Sequence, residues 1–353
     1  MIESSSQHRS DTASILIILM GSLGDLIRGL CVASHIKNNR PHSRVTWLVE
    51  PQWAELVRRH PHIDEMIVFD RPRHVAGVLA LKKELAARHF DITLDLQRHL
   101  KSGFFSLLSR ARKRVGFHPR NAKEFNWLFN TEHIDYYPDD LPKLDHYLKF
   151  TEHLNLPQPE KLDFGFSWLN DANFKPGALR GLHKKAVAMV MGSSWKSKDW
   201  TREGYIQLAS RVLAWGTHAV ILLGDRSQTE AAGMLRKTIN SPDLINLTGR
   251  TSLVELAAAL RFSSVAVGPD SGPGHMASAV GTPYVSLFGP TSPQRVAPYK
   301  SEHLVIAAGE QCAPCYKKSC PGKGARCMAN IRPADVEGKL IQALKEAAEK
   351  NSE

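Results

Sequence analysis

The chain has 353 residues, 42% of them hydrophobic and 23% charged, with a formal net charge of +11. That length exceeds one typical core and suits two domains, and the composition excludes a disordered or fibrous chain. The positive excess favours an anionic partner, whether nucleic acid, phosphorylated glycolipid or acidic membrane surface; a basic surface that merely aids solubility is the alternative.

Residues 1–13 are polar, with no basic leader and no small-residue cleavage site. They read as a disordered tail on a cytoplasmic protein. The apolar run Ile15–Met20 is far too short to span a membrane and reads as a strand. A helix over Leu26–Asn38 follows, in which Cys31 sits among apolar residues as a small core hydrophobe. Strand Arg44–Val49, helix Gln52–Arg59, strand Glu65–Phe69, helix Val75–Arg88 and strand Asp91–Leu96 continue the series. Alternation of this kind predicts an α/β fold with a buried parallel sheet.

The rhythm breaks in a polar stretch around residues 168–184, which carries Pro176-Gly177 and reads as a linker. It restarts with strand Ala186–Met191, helix Thr201–Ala214, strand His218–Leu223, helix Gln228–Thr238, strand Leu244–Leu247 and helix Ser252–Phe262. Strand, turn, short helix and strand complete the series in VGPDSGPGHMASAVGTPYVSLFGP, residues 267–290. The expected organisation is a first α/β domain over 14–170 and a second over 171–332. A final surface helix over 333–353 presents Val336, Leu340, Leu344 and Ala347 along one face.

Three turns carry chemistry. Gly21-Ser-Leu-Gly24-Asp25 follows the first strand, at the carboxyl edge where open α/β sheets hold ligands. It is not GxGxxG, and no acid lies suitably further on to hold a dinucleotide ribose, which argues against a dehydrogenase. Asp25 reads either as the cap of the following helix or as a general base. In the second half, Gly192-Ser-Ser-Trp-Lys-Ser-Lys-Asp-Trp200 gathers hydroxyls and lysines after a strand, as a phosphate site does. In Pro269–His275, Asp270 or Ser271 can cap the helix, Gly272 and Gly274 keep side chains away, and the helix start and His275 suit a diphosphate.

Four of the five cysteines form Cys312-x2-Cys315-x4-Cys320-x6-Cys327. The spacing resembles a zinc- or cluster-binding run but lacks the paired knuckles of a firm site, and disulfides suit a chain without an export signal poorly. A local structural role, with or without zinc, is the expectation.

Residues 267–299 resemble the signature of the family 9 glycosyltransferases, the bacterial lipopolysaccharide heptosyltransferases. ILIILMGSLGDLIRGL, FDITLDLQRHLKS with RVGF, and MGSSWKSKDWTREGYIQLA are similar to that family's other motifs, in the same order. The resemblance implies a GT-B architecture, with two Rossmann-like domains facing across a cleft and the C-terminal helix packed back on the first. It implies ADP-heptose as donor and the inner core of lipopolysaccharide as acceptor, through Kdo or a heptose. By position, Asp25 matches the general base and Lys198 a donor-phosphate contact, with Ser193 and Ser194 lining that site. Asp270, Ser271, Gly272 and His275 match the donor-binding turn, and Glu230 the nucleotide ribose.

Inverting transfer would then proceed without metal or cofactor, because fixed donors stabilise the leaving diphosphate. Between Arg98 and Lys123 there is no carboxylate, and Arg98, Lys101, Arg112, Arg114 and Arg120 are candidates for holding a polyanionic acceptor. A helix with a solvated basic side is the alternative. Peripheral contact with the cytoplasmic membrane face fits the charge. The rival readings are a GT-B transferase or epimerase using another nucleotide sugar, and a basic nucleic-acid-binding protein. No helix-turn-helix, stacking motif or finger pattern supports the last, so no nucleic acid is expected.

Overall fold

A computed structural model of the chain describes residues 12–70, 74–171, 174, 176–321 and 326–350. Residues 1–11 of the expected tail lie outside them. Ala13 is buried, and its carbonyl accepts from the Arg44 amide, so order begins before the predicted strand. The chain divides into two units, Met1–Trp168 and Leu169–Glu353, close to the expected break.

The first unit contains β1 (Ser14–Ile18), α1 (Leu23–Asn39), β2 (Arg44–Val49), α2 (Ala54–Arg58), β3 (Glu65–Val68) and α3 (His74–Ala86). It continues with β4 (Ile92–Asp95), α4 (Leu100–Leu108), β5 (Lys113–Gly116), β6 (Glu132–His133) and α5 (Lys143–His153). All strand pairs are parallel, in the order β3-β2-β1-β4-β5-β6. Alternate residues of β1, Leu16 and Ile18, meet Leu48, Ile67, Leu81 and Phe105 in one core layer, as a period of two requires.

The second unit contains β7 (Lys185–Val190), α6 (Arg202–Ala214), β8 (His218–Leu223), α7 (Thr229–Ile239), β9 (Leu244–Asn246) and α8 (Leu253–Phe262). Then come β10 (Val265–Pro269), α9 (Gly272–Ala279), β11 (Tyr284–Phe288), α10 (Pro293–Val296), β12 (Val305–Ala307), α11 (Arg326–Ala329) and α12 (Pro333–Lys350). Its parallel order is β12-β11-β10-β7-β8-β9. Counted from its own first strand, that is the same order as in the first unit. Each sheet is doubly wound, and each reverses direction once, between β1 and β4 and between β7 and β10. Ligand crevices of open α/β sheets lie outside the strand ends at such reversals. Residues 21–25 follow β1, residues 192–200 follow β7, and residues 270–275 follow β10, so all three turns stand at those ends.

The C-terminal helix corrects an expectation. Val336, Leu340 and Ala343 of α12 are buried in the second unit's own core, where the helix packs on α6, β10 and β11. The apolar face that the resemblance assigned to the first domain is taken up by Val265, Val285 and Leu287 of the nearer sheet and their neighbours in that core.

Gly274 corrects another. A Cβ there would stand 2.6 Å from the Tyr284 ring. The missing side chain makes room for a buried tyrosine of β11 rather than for a ligand, and a methyl would overpack the junction.

Candidate active site

The first unit contributes Asp25. Ser22, in extended conformation, caps α1: its Oγ accepts from the Asp25 amide at 3.3 Å and donates to Asp25 Oδ2 at 2.8 Å. The capping role weighed for Asp25 therefore belongs to Ser22. Asp25 Oδ1 is the crowded oxygen. Arg28 Nη2 donates to it at 2.8 Å, and Lys143 Nζ and the Tyr147 hydroxyl each at 3.4 Å. Arg28 comes from the next turn of α1, and Lys143 and Tyr147 from α5, which packs along α1. The turn itself is fixed by Trp53 Nε1 donating to the Gly21 carbonyl and by Gln97 Oε1 accepting from the Met20 amide, each at 2.8 Å.

Burial alone would raise the pKa of this carboxyl. The charges of Arg28 and Lys143 outweigh it, aided by the Ser22 hydrogen bond, and hold Asp25 well below the ordinary carboxylate range. Burial, and then the Asp25 charge, push the Tyr147 phenol well above its usual value, so it remains a donor. The Asp25 side chain is 24% exposed, which leaves it within reach of a substrate. The result is a permanent anion with cations on one oxygen and a small hydroxyl on the other. Sequence reasoning missed Lys143 and Tyr147. The only trace of them is their spacing of four residues on an amphipathic helix.

In the second unit, Ser193 shapes its loop: its amide donates to Asp199 Oδ1 at 2.9 Å and its Oγ donates to the Trp195 carbonyl at 3.0 Å. Ser194 is exposed. Lys198, 13% exposed, donates to Asp270 Oδ2 at 2.7 Å, and Asp270 is 8% exposed. Thr291 Oγ1 donates to the same carboxylate oxygen at 2.8 Å, and Lys198 Nζ lies 4.6 Å from the centre of the Trp195 ring. The two residues expected to touch the donor thus also touch each other, and Asp270 fixes where Lys198 stands. Ser271 precedes α9 but makes no side-chain hydrogen bond to it, and Asp270 is turned to Lys198. Neither residue caps the helix as expected. An N-terminus without a side-chain cap keeps amides and dipole for an external anion. Gly272 opens the helix, and His275 is buried in its first turn. Glu230 lies exposed in the first turn of α7, two residues beyond Gln228, whose Oε1 accepts from the Asp225 amide at 2.9 Å.

The cysteine run braces this region. The Ser197 amide and Oγ donate to the carbonyls of Lys318 and Lys317, at 3.2 and 2.6 Å, and the Tyr316 amide donates to the Pro290 carbonyl at 2.7 Å. Cys312, Cys315, Cys320 and Cys327 are all free thiols. Among the described residues no three histidine, cysteine, aspartate or glutamate side chains form a group that would hold a metal.

The basic candidates separate into two kinds. Arg98 donates to the Tyr137 hydroxyl at 3.1 Å and lies over Phe117, Lys101 pairs with Glu50 at 3.2 Å, and Arg114 donates to the carbonyls of Phe129 and Ala111. These three hold their own unit together. Arg112 is exposed, as is Arg120, which lies over Tyr136.

One doubly wound unit thus carries an ionised carboxylate at a crevice turn, and the other a helix start without a side-chain cap beside a lysine. The family model described as glycosyltransferase family 9 (heptosyltransferase) matches residues 78–325, and the chain belongs to that family. It is 28% identical over 302 residues to the lipopolysaccharide core heptosyltransferase OpsX of Haemophilus influenzae, covering 85% of this chain and 86% of that protein. Among solved structures, a family 9 glycosyl transferase from Veillonella parvula superposes with a TM-score of 0.81 at 22% identity, over 95% of this chain and 98% of that one. E. coli heptosyltransferase WaaC, solved with ADP, gives a TM-score of 0.77 at 20% identity, over 94% and 99% of the two chains. The fold class is the GT-B class expected from the sequence, and the chain is a glycosyltransferase. Among the described residues no helix is long and apolar enough to cross a membrane.

Proposed function

We propose that this heptosyltransferase takes heptose from ADP-heptose and transfers it, with inversion, to a sugar hydroxyl of the lipopolysaccharide inner core, either Kdo or a heptose. The observation that carries the donor half is the uncapped start of α9 beside the Lys198–Asp270 pair. The β-phosphate lies there, Lys198 supplies a point charge, Ser271, Gly272 and His275 line the turn, and Ser193 and Ser194 border it. Glu230 meets the ribose. A relative bearing the family's heptosyltransferase name and a structural neighbour solved with ADP support the assignment.

In the reaction the acceptor oxygen forms a bond to the anomeric carbon as the bond from that carbon to the β-phosphate oxygen breaks. ADP leaves with the electron pair, and the hydroxyl proton passes to Asp25 Oδ2. A carboxylate held so far below its ordinary pKa is a weak base towards a resting alcohol. It is an adequate one late in the transfer, when the oxygen has begun to carry positive charge and its proton has become strongly acidic. Lys143 and Arg28 position the carboxylate and keep it ionised, so that it also faces the cationic sugar as an anion. Arg112 and Arg120, exposed and basic, hold acceptor anions. The enzyme works at the cytoplasmic face of the membrane, in peripheral contact with it.

Preorganised donors stabilise the departing diphosphate, so no divalent metal is needed. The test is turnover of ADP-heptose, a UDP-sugar and a GDP-sugar with a truncated core acceptor, with and without EDTA. ADP-heptose is expected to exceed the others by at least about 100-fold in kcat/KM, the selectivity a site gains from pairing the right base, with no loss in EDTA. Preference for another nucleotide sugar contradicts the donor assignment, and loss in EDTA restored by magnesium contradicts the metal-free step.

A further inference from the structure

Helix α4 is apolar on two faces: Phe105 is buried in the sheet core, and a second apolar stripe faces outward. Its buried residues include Ser102, Gly103 and Ser106, whereas Leu100, Phe104 and Leu107, spaced i, i+4, i+7 along one stripe, are exposed. The buried residues beside Phe105 are small for a reason. A Cβ on Gly103 would come within 2.9 Å of Asn126 and 2.8 Å of Phe129, so the 3₁₀ turn Asn126–Phe129 lies directly against the helix. Asn126 Nδ2 locks the turn there, donating to Asp95 Oδ2 at 2.6 Å and to the His99 carbonyl at 2.8 Å, and Ser106 Oγ donates to Asn130 Oδ1 at 2.7 Å. That buried network holds two more large apolar side chains outward: Phe125, 70% exposed and in the left-handed region at φ 57, and Leu128, 61% exposed. Helix α3, which packs against α4, adds exposed Val75 and Leu79.

Most of the large exposed apolar side chains among the described residues therefore gather on three touching elements of one unit. A bulky aromatic in a left-handed turn is costly and needs a firm setting to persist. Exposed cations flank the patch: Lys82 and Lys83 on α3, Arg110 just beyond α4, and Lys123 two residues before Phe125. Apolar side chains in the middle and cations at the edge are what an anionic lipid surface recognises.

We infer that the patch formed by α4, the 3₁₀ turn and α3 docks this protein on an anionic bilayer, with Phe104, Leu107, Phe125 and Leu128 entering the headgroup region and the flanking cations meeting lipid phosphates. The inference rests on the functional reading for why a bilayer is nearby, since the acceptor is borne on a lipid. It adds which surface faces the membrane, and that the contact is apolar as well as electrostatic.

The experiment is cosedimentation of the full chain with vesicles of phosphatidylglycerol and phosphatidylethanolamine, or of phosphatidylcholine alone, at low and high salt. It needs neither donor nor acceptor, so its outcome is independent of the transfer reading. Wild type is expected to bind the anionic vesicles and not the neutral ones, with some binding surviving high salt because part of the contact is apolar. The double variant Phe125→Asn, Leu128→Gln, whose asparagine tolerates the left-handed turn, is expected to bind at least about tenfold more weakly. Its activity on a delipidated core oligosaccharide is expected to be unchanged, which shows that it folds; Leu107→Gln gives a second, single-site variant. Equal binding by wild type and both variants overturns the inference, as does failure of wild type to bind. A wild-type dimer that the double variant loses, with no vesicle binding by either, assigns the patch to self-association and overturns it as well.

Discussion

Asp25→Asn is expected to lower kcat by about 10²–10⁴, the range for loss of a general base, while the Kd for ADP is unchanged. Asparagine keeps the shape: its Oδ1 can still accept from Arg28 and its Nδ2 can donate to Ser22 Oγ, so the geometry survives and the proton acceptor is lost. The same site makes a pH prediction. The cations hold the folded-state pKa of Asp25 below its unfolded value of about 3.9, so the carboxyl is ionised throughout the neutral range. Its contribution to stability is present above that unfolded value and is lost only as pH falls through the depressed folded one. In wild type, the pH profile of kcat/KM should show no acidic limb from this group in the working range. Lys143→Met removes one cation, raises the carboxyl pKa and should move any acidic limb to higher pH, with a smaller loss in kcat than Asp25→Asn. An Asp25→Asn variant with near wild-type kcat would remove the base assignment, and an unchanged kcat in Lys143→Met would remove the positioning role.

Lys198→Met is expected to weaken ADP binding by about 10–100-fold, the loss of one charge-assisted contact worth about 1.5–3 kcal/mol. The substitution also strands the Asp270 carboxylate, 8% exposed, with the Thr291 hydroxyl still donating to it. Breaking such a pair from one side costs about 3 kcal/mol of stability. The double variant Lys198→Met, Asp270→Asn should recover most of the lost stability and little of the ADP affinity. Calorimetric melting together with ADP titration separates the two effects. If the double variant regained affinity as well, Lys198 would be structural, and the phosphate contact would lie elsewhere.

The architecture was legible because it is written in local pattern. Buried parallel strands such as Ile15–Ile18 and Val220–Leu223 are continuous apolar runs, and the turn residues after them are compact and distinctive. What escaped is weak in composition or set by contacts distant in sequence. Strand β5, Lys-Arg-Val-Gly, pairs through its backbone and has little apolar signal, and β6 is only two residues long. Helix α4 was hidden because it carries apolar residues both on its core side, at Phe105, and on its exposed side, so the stretch from Arg98 to Lys123 read as a basic surface when its middle is an apolar one. The candidate site was visible as single residues and invisible as pairs. Asp25 stood out at the strand edge, whereas Lys143 and Tyr147 reach it across more than a hundred residues of chain. Lys198 and Asp270 were each marked for the ligand, yet nothing in their spacing showed that one would hold the other in place.

The most direct test is the structure of the complex with ADP. The account predicts the diphosphate at the first turn of α9, with oxygens in hydrogen-bond reach of Lys198 Nζ and the Gly272 amide, and Asp270 still bound to Lys198. Diphosphate seated anywhere else, or density that leaves Lys198 and the start of α9 untouched, would contradict it.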